Sequence, residues 1–274
     1  MGCPVSIDRP PWPIPVPHGG AAAEGFVAVD DARLWFWDTG GSGAPVVLLH
    51  PATGSGLSWP YQQPVFAEAG FRVISYSRRG HLGSTPGDPG EPGTMAGDLS
   101  AIADHLDLDR FHAVGCAQGA LVGLDFALTF PHRLRSLVLS GTYLGVEEPA
   151  YQELIGRLRP DGMPAEFREL GPSYRAADPE GVTRWVALEK RAVPVRVNQP
   201  GAAKRTWAAL GELTEPILLI GGDADLYAPP EVLRTLAAHL PSAETLVIPE
   251  CGHSPHWERP DLFNPTVLDF LREH

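Results

Sequence analysis

Gly115-Cys116-Ala117-Gln118-Gly119 is the segment of this chain whose residue types and spacing point most directly to chemistry. It follows an apolar run ending at Val114 and opens an apolar stretch of helical character. A strand, a Gly-x-nucleophile-x-Gly turn and a helix form a nucleophile elbow, in which small flanking residues let the chain turn so sharply that the central side chain stands clear of the sheet. Such a turn serves covalent catalysis: the central residue attacks, a base takes its proton, and an acid orients the base. Here the central residue is Ala117, which has no atom able to attack. Removing the nucleophile from a triad protease costs about 10⁶ in kcat, so the chain as written is expected to be nearly inactive in that chemistry. Cys116 is a poor substitute, because the residues two places to either side are Val114 and Gln118 and its side chain should point into the sheet. Cys251 lies on no elbow and reads as a small packed residue, and a dehalogenase-type attack would need a carboxylate at 117.

The elements that must hold this turn are legible in the apolar pattern. Residues 26–29 and 34–37, separated by Asp30-Asp31, read as an antiparallel hairpin. Val46–Leu49, Phe71–Tyr76, Phe111–Gly115, Leu137–Leu139, Ile217–Ile220 and Thr245–Ile248 are continuous apolar runs, the mark of strands buried on both faces of a parallel sheet. Helical stretches fall between most of them, at about 58–69, 95–107, 118–130, 230–240 and 259–272. Strand alternating with helix predicts a doubly wound α/β sheet. The rhythm breaks once, between Gly141 and Leu213, where short helical pieces such as Tyr151–Leu158 and Val182–Arg191 are cut by Pro160, Pro164, Pro172, Pro179, Pro194 and Pro200. This predicts an inserted helical cap.

With the elbow in that context, the chain resembles the α/β-hydrolase fold family, from about residue 25 to 272. His50-Pro51-Ala52 resembles the family's oxyanion loop, which implies that the amides of Ala52 and Gln118 hold a developing oxyanion. Gly222-Asp223-Ala224-Asp225 resembles the acid loop and implies Asp225 as the triad acid. Gly252-His253-Ser254-Pro255-His256-Trp257-Glu258-Arg259-Pro260 resembles the histidine loop and implies His253 as the general base. Tyr76-Ser77-Arg78-Arg79-Gly80-His81 falls at the family's Arg-Gly loop. The resemblance implies a mostly parallel eight-stranded sheet with helices on both faces and a helical cap after the sixth strand. The domain reading is a Pro-rich arm over 1–24, a core over 25–144 and 213–274, and a cap over 145–212. His50, His81, His112 and His256 read as structural. Trp59, Tyr143, Trp185, Trp207, Tyr227 and Trp257 lie near strand ends or in the cap, where pockets of open α/β sheets form, and as a set suggest a bulky, aromatic substrate.

Composition narrows the function. The 274 residues carry 21 Lys plus Arg against 33 Asp plus Glu, a formal charge of −12 that repels nucleic acid and anionic lipid. The cap has equal numbers of each sign, so the whole excess belongs to the sheet domain. Within 183–205, Arg184, Lys190, Arg191, Arg196, Lys204 and Arg205 face Glu189 alone, which raises the prospect of an anionic substrate. Cys3, Cys116 and Cys251 have no metal-like spacing, so neither disulfide, metal nor cofactor is expected. No apolar run suggests a membrane span or secretory signal, and the expected location is the cytoplasm, although Met1–Ser6 fits the loose myristoylation pattern. The expected activity is hydrolysis of a carboxylic ester or lactone, by a monomer or homodimer. C–C and amide hydrolases share the scaffold. An Ala amid otherwise intact surroundings reads as a single replacement of Ser. The alternatives are a natural non-catalytic ligand-binding homologue and a His–Asp dyad enzyme, either a lyase or a cofactor-free oxygenase.

Overall fold

A computed structural model describes residues 12–274. The N-terminal hairpin forms where expected, as β1 (Ala23–Val29) and β2 (Ala32–Asp38). The buried runs become β3 (Pro45–Leu49), β4 (Arg72–Tyr76), β5 (Phe111–Cys116), β6 (Leu134–Ser140), β7 (Ile217–Gly222) and β8 (Ala243–Ile248). They make one eight-stranded sheet in the order β1-β2-β4-β3-β5-β6-β7-β8. β2 runs antiparallel to both neighbours, and every pair from β4 to β8 is parallel.

Alternation along each strand divides the core in two. Val47, Leu49, Ala113, Leu137, Leu139 and Leu219 face one side, where they meet α2 (Met95–His105), α3 (Gln118–Thr129) and α9 (Pro230–Ala237) through Leu99, Ile102, Val122, Phe126, Val232 and Leu236. Val46, Leu48, Val114, Val138, Leu218 and Ile220 face the other, against Phe66 of α1 (Gln63–Glu68) and Phe263, Val267 and Phe270 of α11 (Pro260–Glu273). Each such buried aliphatic or aromatic side chain contributes roughly 1.5–3 kcal/mol. β8 departs from expectation: only Ile248 is buried in it, because β8 is the last strand and lacks a neighbour on its outer edge.

Between β6 and β7 lie α4 (Pro149–Leu158), α5 (Ala165–Glu169), α6 (Pro172–Ala177), α7 (Pro179–Ala192) and α8 (Trp207–Gly211). Pro172 and Pro179, read from sequence as interruptions, instead open helices, since an amide at a helix's first turn needs no partner. The helix expected from residue 58 begins only at Gln63, and 58–62 form turns. Much of the Pro-rich arm and the Met1–Ser6 pattern, with Cys3, lies outside the described residues. From Trp12 onward the arm crosses the base of the cap: Trp12 Nε1 donates to the Glu258 carbonyl at 2.7 Å, and its ring packs edge-on to Tyr174. Among the described residues, no helix is long and apolar enough to cross a membrane.

Candidate active site

The turn at 117 is built by crowding. Any side chain at Gly115 would collide with the backbone of Gly119 and Ala120, and any at Gly119 with the carbonyl of Leu49. With both positions bare, β5 passes directly into α3. Ala117, between them, takes φ 51° and ψ −112°, a conformation that costs an L-residue on the order of 1–3 kcal/mol. The Ala117 amide donates to Ser140 O at 2.9 Å, which ties the turn to β6. Gln118 is the first residue of α3, where an amide has no carbonyl one turn back to bond. The helix therefore presents a free N–H beside the turn.

His253 follows β8 in a loop held from beneath. Its amide donates to the Glu169 carbonyl at 2.9 Å. Glu258, fully buried, accepts from the amides of Gly171 at 2.7 Å, Gly252 at 3.0 Å and Ser254 at 3.1 Å. One carboxylate thus fastens the cap to the histidine loop. Burial pushes the Glu258 carboxyl up to about 7, against the opposing pull of those amides. His253 Nδ1 lies 2.8 Å from Asp225 Oδ2 and 2.9 Å from Oδ1. Asp225 Oδ1 also accepts from the amides of Tyr227 and Ala228 at 2.8 and 3.0 Å. With Nδ1–H committed to Asp225, Nε2 is the nitrogen left for chemistry. Burial alone would lower the imidazole's pKa, but the Asp225 carboxylate and its hydrogen bond outweigh that and raise it to about 9.

These groups meet in a cavity of about 110 Å³ lined by Ala52, Ala117, Gln118, Leu121, Gly141, Thr142, Tyr143, Glu169, Tyr227 and His253. Of the six aromatic residues expected around a pocket, it includes Tyr143 and Tyr227, the latter with its ring 4.6 Å from that of His253. The other four do not line it. Trp59 packs on His256, and Trp185 and Trp257 belong to the small core between cap and sheet domain. Trp207 stacks on His239.

Cys116 is buried in β5 and Cys251 under the histidine loop, and burial raises both thiols well above their ordinary range. Neither lines the cavity. Asp223 accepts from the Cys251 amide rather than from His253. The cap's basic run is partly spent on structure, with Arg184 paired to Asp178 and Arg205 to Glu147. His50, His81 and His112 are buried and hydrogen-bonded to carbonyls or Ser136, and burial holds the last two near 3 and 4.

Glu169 went unremarked in the sequence. It ends α5, is 6% exposed, and turns a carboxyl with no hydrogen-bond partner among the described residues into the cavity that holds His253. Burial raises its pKa while the nearby His253 opposes that. The mixed charged and apolar segment around it, Glu166-Phe167-Arg168-Glu169-Leu170, gives no local signal, because its role depends on where the helices between β6 and β7 settle.

Residues 46–266 match the model of the alpha/beta hydrolase family. The chain is 30% identical over 283 residues to 2-hydroxy-6-oxononadienedioate/2-hydroxy-6-oxononatrienedioate hydrolase 1 of Dechloromonas aromatica, covering 92% of this chain and 96% of the relative. Among solved structures it resembles a thermophilic esterase from Thermogutta terrifontis, with a TM-score of 0.76 and 27% identity over 93% of this chain and 99% of that one. It also resembles Est816, an N-acyl homoserine lactone degrading enzyme, with a TM-score of 0.72 and 25% identity over 90% and 100% of the two chains. On a fold, strand order and family match that run through nearly the whole sheet domain, the chain belongs to the alpha/beta hydrolase family.

Proposed function

We propose that the site is that of a serine hydrolase of carboxylic esters or lactones, in which Ala117 stands where the nucleophilic Ser would stand. The chain as written then binds such substrates with little or no turnover. The observation that carries this reading is the strained backbone of Ala117, held at φ 51° beside an intact His253–Asp225 pair. Strain of that kind is retained where a projecting side chain has work to do, and a methyl group has none.

With Ser at 117, His253 Nε2 would take the hydroxyl proton as Oγ attacks the acyl carbon. The amides of Ala52 and Gln118 would hold the oxygen as it gains charge, an interaction worth about 3 kcal/mol per donor in comparable sites. His253 would hand the proton to the leaving alcohol, then activate a water that releases the acid and regenerates Ser. Asp225 would keep the imidazole in the working tautomer and stabilise its charged form. The Thermogutta esterase and Est816 support the substrate class by likeness of fold.

The test is Ala117→Ser, assayed on aryl, alkyl and lactone esters. Activity should rise by about three or more orders of magnitude; no rise on any of them sinks the reading. A second reading, a dyad enzyme working by proton transfer alone, is favoured by one observation: the cavity holds a carboxyl group, Glu169, besides His253. Turnover by the unaltered Ala117 chain that disappears in His253→Ala would establish it instead. Binding without turnover in both forms would leave the chain a ligand-binding homologue.

A further inference from the structure

A second, larger cavity of about 370 Å³ shares Ala52 and Gln118 with the first and is lined also by Arg78, Arg79, His81, Met95, Val193, Arg196 and Gln199. Among the described residues no Asp or Glu lines it. Of its cations, Arg79 is committed: it forms a buried pair with Asp98 at 3.0 Å, and Gln199 takes the other Asp98 oxygen at 2.7 Å. His81 donates through Nδ1 to the Gly54 carbonyl at 2.8 Å and is neutral, since burial and Arg78 together hold its pKa near 3.

Arg78 is different. Its backbone amide donates to His50 Nε2 at 3.1 Å, and the residue lines the cavity beside the oxyanion loop. One Nη2–H reaches the Pro51 carbonyl at 3.1 Å, and the buried Nε makes no hydrogen bond. Among the described residues no carboxylate pairs with it. A guanidinium keeps its charge at neutral pH, and leaving a half-buried one without a counter-ion is costly unless something supplies it. Arg196, exposed and without an ion pair among the described residues, adds a second charge at the rim.

We infer that Arg78, with Arg196 at the rim, forms a carboxylate subsite beside the oxyanion amides, so that the substrate carries a second, ionised carboxyl group remote from its acyl carbon. This rests on the reading of Ala52 and Gln118 as the carbonyl-holding amides. The planar guanidinium presents donors in a fork matched to a carboxylate. Met95, Val193 and Val197 offer apolar walls to the chain that joins the two ends. Against the −12 charge of the whole protein, this local reversal of sign is a means of selecting an anion.

The test is calorimetric titration of the unaltered chain with monomethyl glutarate, dimethyl glutarate and inorganic phosphate. The half-ester should bind about tenfold or more tightly than the diester, a difference that a charge-assisted hydrogen bond supplies. Arg78→Met should erase that preference. Arg196→Gln, on an exposed segment where folding is not at stake, should reduce it about threefold, as a rim charge does. Equal binding of the two esters, no binding of the half-ester, or a preference untouched by both substitutions overturns the subsite. Phosphate binding more tightly than the half-ester overturns the carboxylate assignment. A second arm compares p-nitrophenyl hemiglutarate with p-nitrophenyl valerate in Ala117→Ser and Ala117→Ser/Arg78→Met. There the subsite appears as a lower KM for the charged ester that Arg78→Met removes. If Ala117→Ser hydrolyses neither ester, the hydrolase reading fails while the calorimetry still decides the subsite.

Discussion

Ala and Ser differ by one oxygen, and at position 117 that oxygen separates a proton relay with a destination from one without. His253 is prepared for the relay in either case, because its ring is held by Asp225, itself fixed by the amides of Tyr227 and Ala228, rather than by residue 117. Its raised pKa has two consequences of definite sign. The general base works only when neutral, so kcat/KM of Ala117→Ser should climb about tenfold per pH unit through the neutral range and level off near pH 9. A plateau already reached at pH 7 would show that Asp225 and Glu169 do not hold the imidazole charged in the free enzyme. Stability runs the other way. A histidine whose pKa is higher folded than unfolded adds stability that is fully present below 6.5 and lost as the pH rises through about 9. The denaturation midpoint of His253→Gln should therefore approach that of the parent across this interval. Arg78 was visible in the sequence only as one member of Tyr76-Ser77-Arg78-Arg79-Gly80-His81; that its neighbour Arg79 takes the available acid, Asp98, is a fact of packing.

At the scale of elements, the site is a meeting of loop ends held by very few side chains. Glu258 is the chief one: it receives amides from the cap at Gly171 and from the histidine loop at Gly252 and Ser254. Gln in its place offers one acceptor oxygen instead of two and would set an NH₂ against a buried N–H. Glu258→Gln should cost about 1–3 kcal/mol, read as a lower urea midpoint with unchanged slope, and should weaken Ala117→Ser activity by displacing His253. An unchanged midpoint would mean that water replaces the lost contact. The histidine-loop residues were recognisable in the sequence, but Glu258 was read there only as part of a motif. Its partner Gly171 is 87 residues away, and no local pattern connects them. The strands were legible for the opposite reason: a continuous apolar run, the mark of burial on both faces, is written within each segment. β8 misled because a strand's exposure depends on whether it has a neighbour.

Across the whole molecule, arm, cap and sheet domain converge on one small aromatic core of Tyr61, Tyr174, Trp185 and Trp257, with Trp12 and Ile14 against it. Trp12 adds a hydrogen bond to the Glu258 carbonyl and lies beneath the Arg259 guanidinium. Trp12→Ala should cost about 1–3 kcal/mol, less than for a fully enclosed Trp. The loss should appear as a lower thermal midpoint that Trp12→Phe partly restores; an unchanged midpoint would mean the arm is not fastened there. The sequence by itself determined the α/β architecture, the order of its strands and helices, the turn at 117 and the loops that carry Asp225 and His253. The architecture follows from apolar patterning and the turn from glycines placed where no side chain fits, which are local properties; the two loops follow from motifs that resemble those of the alpha/beta hydrolase family. Only the tertiary structure decided which aromatic rings line the cavity, that Glu169 faces it, and that Arg78 has no counter-ion among the described residues. Those depend on how the helices between β6 and β7 and the loops at the strand ends come to rest on the sheet, which no segment encodes alone.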